Sequence, residues 1–267
     1  MSIESSRTAI AKLAGAASGG IITLEAAIAV LGGSRLSVSR RLSSLVGAGW
    51  LSRVRRGVYS VRPLDAPPDV RTAEEDPWIV ASRVFDPCYV GGWTAAGHWH
   101  LTEQLFRTTL VVTERHVRRA AVTIGSGAFR VVRESRNREM GLATVWRSNS
   151  RVRISNVDRT IIDACAHPDW VGGGGQLISI FKAGVQDSLM TAESLLAVAP
   201  AAPTGAALGR LALLLDRYWP AATTVIEYAA AHRGTGYVRF DPAVARRGAL
   251  NTRWGVWQNI SFENADS

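Results

Sequence analysis

Apolar residues recur at helical spacing through the first fifty positions and at strand spacing beyond Thr109. Residues 3–17 carry Ile10 and Leu13 among alanines and predict a first helix, ended by Ser18-Gly19-Gly20. Residues 23–30 predict a second helix with Thr23 as N-cap. The turn 31–36 follows. Ser37 is the expected cap of a third helix that runs to about Ala48, with Gly49 at its C-terminal position. At about 100° per residue, Val38, Leu42, Leu45 and Val46 share one face of this helix. Arg40, Ser43, Ser44 and Gly47 take the opposite face, and Arg41 sits at the boundary. Leu51 to Val61 then predicts two strands joined by a turn at Arg55-Arg56-Gly57.

After Arg62, three prolines (Pro63, Pro67 and Pro68) break any periodicity and mark a linker. Residues 78–85 and 94–100 look helical. Short β-rich runs cover 110–112, 121–124, 129–132, 143–146 and 152–154, with Gly125-Ser126-Gly127 as a tight hairpin. Asp158 is the expected cap of a helix through Ile161, Ile162 and Cys165. Helices are expected at 176–184, 191–198, 204–219 and 221–232. Residues 237–240 and 254–260 look like strands that return to the sheet. The expected fold class is α+β: a winged helix-turn-helix over 1–62, a linker over 63–75, and a larger mixed α/β domain over 76–267 with a central, mainly antiparallel sheet.

Charge singles out the first unit. The chain of 267 residues has a net charge of +9, and residues 1–62 contribute +7 of it, from nine basic and two acidic groups. Between Ser34 and Arg62 there is no acid at all. Polyanion binding explains such a bias, because each neutralised phosphate releases condensed counterions. Small serines let a backbone approach a groove, and arginine reaches a phosphate or a guanine edge. The candidate DNA-binding residues are therefore Arg35, Ser37, Ser39, Arg40, Arg41, Ser43 and Ser44 on and before the third helix, and Arg53, Arg55, Arg56 and Tyr59 in the hairpin. The later arginine clusters 115–119, 130–138 and 147–153 sit among acids, which favours a solvated sheet face over an extended nucleic-acid surface.

Catalytic patterns are missing. Gly125-Ser126 is followed by no Asp-x-Asp pair, neither lysine stands two residues after a carboxylate, and Gly172–Gly175 lacks a Gly-Lys-Ser/Thr ending. His98-Trp99-His100 lies near Cys88, but His-x-His on a helix points its rings to different faces, and no metal-ligand spacing supports it. No catalytic, metal or cofactor residue is assigned, and a non-enzyme is expected. Two cysteines make no disulfide framework. No apolar run reaches the roughly 18 residues of a membrane span, and no secretory signal opens the chain, so a cytoplasmic protein is expected.

Several segments resemble the AbiEi-type antitoxins, regulator halves of bacterial type IV toxin–antitoxin systems whose toxins are nucleotidyltransferases. They are Gly49-Trp50-Leu51-x-Arg53 through Arg56-Gly57-Val58-Tyr59, Asp76–Ala81, Tyr89–Ala96, and Val157–Asp163 with its Asp158-Arg159-Thr160 core. The chain departs from that pattern at His98-Trp99-His100, where many relatives have histidine then glycine. The resemblance implies a winged helix that binds inverted repeats upstream of its operon, and a C-terminal antitoxin domain. It implies Ser39, Arg40, Ser43 and Ser44 at the groove and Arg53, Arg55 and Arg56 in the wing. The expected function is sequence-specific repression and antitoxin action, with double-stranded DNA of repeated half-sites, a homodimer on DNA and a nucleotidyltransferase-like toxin as partners. Two alternatives stay open: a C-terminal enzyme acting on nucleic acid, and a module that grips the toxin directly.

Overall fold

The computed structural model describes residues 3–17, 19–61, 76–134, 139–245 and 248–262; Arg62 and the expected linker 63–75 lie outside them. The first unit runs α1 (Ile3–Ala16), β1 (Ile21–Thr23), α2 (Leu24–Leu31), α3 (Arg35–Gly47), β2 (Leu51–Arg55) and β3 (Val58–Val61). Its strands form an antiparallel sheet in the order β1-β3-β2, with Ile21 opposite Ser60 and Leu51 opposite Val61. The strand β1 has only three residues, and no periodicity pointed to it. Ile10, Leu13, Leu24, Val38, Leu42, Leu45 and Tyr59 bury together beneath the three helices.

Capping sets the start of α3, and the cap is Ser34, not Ser37. Ser34 is extended, and its side chain accepts the Ser37 N–H at 3.2 Å. Ser37 lies inside the first turn, and its hydroxyl donates back to the Ser34 carbonyl at 2.8 Å. The other end closes as expected. Gly49 takes φ +76°, and the Trp50 N–H returns to the Leu45 carbonyl at 3.0 Å. Thr23 caps α2 by accepting the Ala26 N–H at 3.2 Å.

The remainder follows as α4 (Pro77–Val84), β4 (Cys88–Val90), α5 (Gly92–His98), β5 (Thr108–Thr113), β6 (Ala121–Ile124), β7 (Gly127–Arg133), β8 (Leu142–Arg147), β9 (Ser150–Ser155) and α6 (Val157–Ala166). Then come α7 (Gly174–Gln186), α8 (Ala192–Val198), α9 (Gly205–Tyr218), α10 (Thr223–His232), β10 (Val238–Arg239), β11 (Ala249–Asn251) and β12 (Val256–Gln258). A six-stranded sheet has the order β6-β7-β5-β4-β9-β8. The pairs β6/β7, β4/β5 and β8/β9 are antiparallel, whereas β5/β7 and β4/β9 are parallel, so the sheet is mixed. Strands β10 to β12 do not return to it. They form their own three-stranded sheet against the helical half. Asn156, not Asp158, caps α6, by accepting the Arg159 N–H at 2.8 Å. Asp158 is buried in the first turn and accepts from the Ser194 hydroxyl at 2.9 Å.

The first unit does not stand apart. Ile21 of β1 and Val58 of β3 bury in one cluster with Trp78, Ile79, Val90, Phe129 and Ile154. The Gly19 N–H donates to Asn149 Oδ1 at 2.9 Å across the same seam.

Candidate nucleic-acid interface

The leucine stripe of α3 faces the core, which turns the opposite side outward. Val38, Leu42 and Leu45 are buried. Arg40, Ser43 and Ser44 are exposed, and Ser39 and Arg41 are half-buried. The Ser43 hydroxyl donates to the Ser39 carbonyl at 3.0 Å, which keeps the face low and close to the helix axis. Arg35, in the first turn, reaches Glu25 of α2 at 3.2 Å, with both side chains about two-thirds exposed (69% and 68%). A pair this open contributes little, so a phosphate competes readily for that guanidinium.

The β2–β3 hairpin follows the same logic. Val54 points inward and packs on the shared cluster, while Arg53, Arg55 and Arg56 are exposed. A register shift between Arg53 and Arg55 re-aims the strand end, and Gly57 takes φ +79° in the turn. The Gly57 carbonyl accepts the Leu24 N–H at 2.8 Å, fixing the hairpin tip against the start of α2. Tyr59 does not belong to this surface. It is 3% exposed, on the central strand β3, whose two faces are both covered. Its ring is part of the core.

Beside the hairpin opens a cleft of about 990 Å³. One wall is Glu25, Arg35, Leu36 and Ser39; the floor is the hairpin; the far wall is Ser82, Arg83, Val84, Asp86 and Arg115.

Other sequence candidates resolve into packing. The guanidinium of Arg130 pairs with Asp169 and lies over Trp93, that of Arg147 meets Asp76 at 2.9 Å, and that of Arg153 pairs with Glu139. Arg136 and Arg138 lie outside the described residues. Arg115, Arg118 and Arg119 are exposed and form no ion pair among the described residues. The glycine-rich turn 172–175 leads into α7, whose first N–H, on Gly174, donates to the Asp241 carboxylate at 2.7 Å. An anion site at that helix start is therefore already filled by the protein itself. His98 packs edge-on against Trp78 and Trp99, at 5.3 and 4.6 Å between ring centres. Burial, then Arg147 and His100, hold its pKa below the ordinary histidine value. Cys165 is fully buried, and burial pushes its thiol up to about 12, against the pull of Arg210. Among the described residues, no three His, Cys, Asp or Glu side chains gather as a metal site. No helix there is long and apolar enough to cross a membrane.

The first unit is a small helical domain that carries a basic hairpin. Residues 9–62 match the family described as transcriptional regulator, AbiEi antitoxin, so the N-terminal unit supports an antitoxin or regulator role. The match stops at residue 62, and no curated protein matches the chain. The crystal structure of RV2827C protein from Mycobacterium tuberculosis is similar in fold, with a TM-score of 0.60. At 19% identity it covers 92% of this chain and 88% of that one, and the likeness is one of fold alone.

Proposed function

We propose that this protein is a sequence-specific DNA-binding repressor that regulates its own operon as the antitoxin of a toxin–antitoxin pair. Residues 1–62 act as a winged helix-turn-helix. Helix α3 enters the major groove with Ser39, Arg40, Ser43 and Ser44, and the wing holds the backbone with Arg53, Arg55 and Arg56. Residues 76–267 form the antitoxin domain, which works by binding and not by turnover. One observation carries the reading: an acid-free surface on α3 and the β2–β3 hairpin, with serines and arginines outward over a buried leucine stripe. The match of residues 9–62 to a regulator family supports it. One winged helix reads too few base pairs for high specificity, so paired copies on repeated half-sites are part of the proposal. The partner toxin is a nucleotidyltransferase-like protein of the same operon.

A titration with duplex DNA from upstream of the gene tests this. Wild type is expected to bind with a steep loss of affinity in salt. Arg40→Ala with Arg55→Ala is expected to weaken binding about 10- to 100-fold and to lower the salt slope by about 2. A double variant that binds like wild type, with the same slope, would exclude the α3–hairpin surface as the reader.

A further inference from the structure

Between β5 and β6, residues 114–120 form a short loop that carries Arg115, Val117, Arg118 and Arg119. This loop and the hairpin border a recess of about 370 Å³. Its floor is apolar: Val84 and Val131 are buried, and Phe85, Val117 and Val122 are half-buried. Its rim is cationic. Arg55 of the hairpin, Arg115, Arg118 and Arg119 line it, and all four are exposed. No carboxylate lines it among the described residues. Nor do these four guanidiniums form an ion pair among the described residues.

The backbone around the recess holds it open. The Thr113 hydroxyl lies 2.9 Å from both the Phe85 and the Pro87 carbonyl oxygens, and it accepts the Arg115 N–H at 3.2 Å. It thus ties the wall of Phe85 to the root of the loop. At the other end, the Val131 N–H donates to the Ala120 carbonyl at 2.7 Å, which fixes the loop to β7. In the middle, Val117 packs on the cluster that contains Val84 and Val131. The Phe85 ring stands edge-on to Phe129, with 5.8 Å between centres. A floor fixed in this way keeps its apolar surface open.

Floor and rim together select a ligand. A bare phosphate has no body to cover the valines, and the rim repels a cation. A molecule with an apolar body and an anionic head satisfies both, because its body leaves water as its head meets guanidiniums. The volume lies in the range of about 300–1,000 Å³ that small-molecule sites occupy. We propose that this recess is an effector site for a small amphipathic organic anion, a carboxylate on an apolar body. The body lies on the valines and Phe85, and the head lies among the arginines. The same site holds Arg55, which the proposed function places on the DNA backbone. An anion that engages Arg55 competes with that phosphate, so the ligand releases the operator. This consequence rests on the proposed DNA-binding function.

Calorimetric titration of the full chain with decanoate, below its micelle concentration, tests the site. Acetate supplies the head alone, and decyltrimethylammonium supplies a like body with the opposite charge. Decanoate is expected to bind about tenfold tighter than either, or more. Arg118→Ala with Arg119→Ala is expected to weaken it about tenfold. Val122→Glu keeps every arginine but sets a carboxylate on the floor, and is expected to weaken it as much. Removing the same charge elsewhere, by Arg107→Ala with Arg151→Ala, is expected to change nothing. Acetate or decyltrimethylammonium binding as tightly as decanoate overturns the site, as does unchanged binding in both recess variants. Duplex DNA from upstream of the gene gives the second readout. Saturating decanoate is expected to weaken duplex binding about three- to tenfold and to lower the salt slope by about 1, and to leave Val122→Glu unmoved. Decanoate that binds without weakening the duplex overturns the effector role. If wild type binds no duplex, the proposed function fails and the effector role with it. If wild type binds the duplex but not decanoate, only the effector site fails.

Discussion

Arg159 is fully buried, and each arm of its guanidinium is used. Nε donates to Asp163 at 2.7 Å, Nη2 to the Tyr89 hydroxyl at 3.1 Å, and Nη1 to the Met140 carbonyl at 2.9 Å. The Tyr89 hydroxyl in turn donates to Asp163 at 2.8 Å. Burial alone would lower the pKa of Arg159, but Asp163 and Tyr89 hold it above its ordinary value. Removing one member leaves a charge without its partner, so Asp163→Ala is expected to cost about 3–5 kcal/mol in urea unfolding. A loss under about 1 kcal/mol would contradict this. The family resemblance implied a carboxylate partner for Arg159; the structure supplies Asp163 one turn on along α6, and the sheet brings in Tyr89 from seventy positions away. His98 sets a second expectation. Its pKa is lowered in the folded state, so on acidification the unfolded chain takes up the proton first. Stability is expected to fall as pH drops through about 6.5, the unfolded value, and His98→Phe is expected to flatten that slope in melts between pH 5 and 8.

Between Ser34 and Gly49 the proposed reading helix depends on its two ends. Ser34→Ala removes the acceptor for the Ser37 N–H and is expected to cost about 1 kcal/mol by denaturant midpoint. Ser37→Ala, which removes exposed hydroxyl contacts to Ser34 but keeps the N–H that Ser34 caps, is expected to cost less than half of that. Equal effects would reassign the cap. At both α3 and α6 the cap lies earlier than the expected Ser37 and Asp158, because the helix begins sooner than the apolar period suggests. Helices of ten or more residues were legible from that period. Strands β1 and β4, at three residues each, are too short to show one and exist because neighbours pair with them. Tyr59 was misassigned for a related reason. On a strand covered on both faces, alternation no longer separates inside from outside.

Across the whole molecule, charge counting divided the chain at Arg62, but packing joins what charge divides. Ile79 of α4 is 1% exposed and lies in one cluster with Ile21 and Val58 of the first unit. Ile79→Ala is expected to cost about 2–5 kcal/mol and to speed amide exchange in both β1 and β4. Faster exchange confined to the second unit would contradict a common core. No sequence pattern revealed this seam, since Ile21, Val58 and Ile79 stand on separate elements whose periodicities are read one at a time. The carboxylate of Asp241 at the start of α7 has a consequence of another kind, in time. Gly174 and Asp241 are separated by 67 residues, so the ribosome makes the helix start well before its cap exists. Until then the Gly174 N–H at the buried end of α7 lacks this acceptor. The end proposed to read DNA is built first, and the half proposed to answer the toxin is finished last.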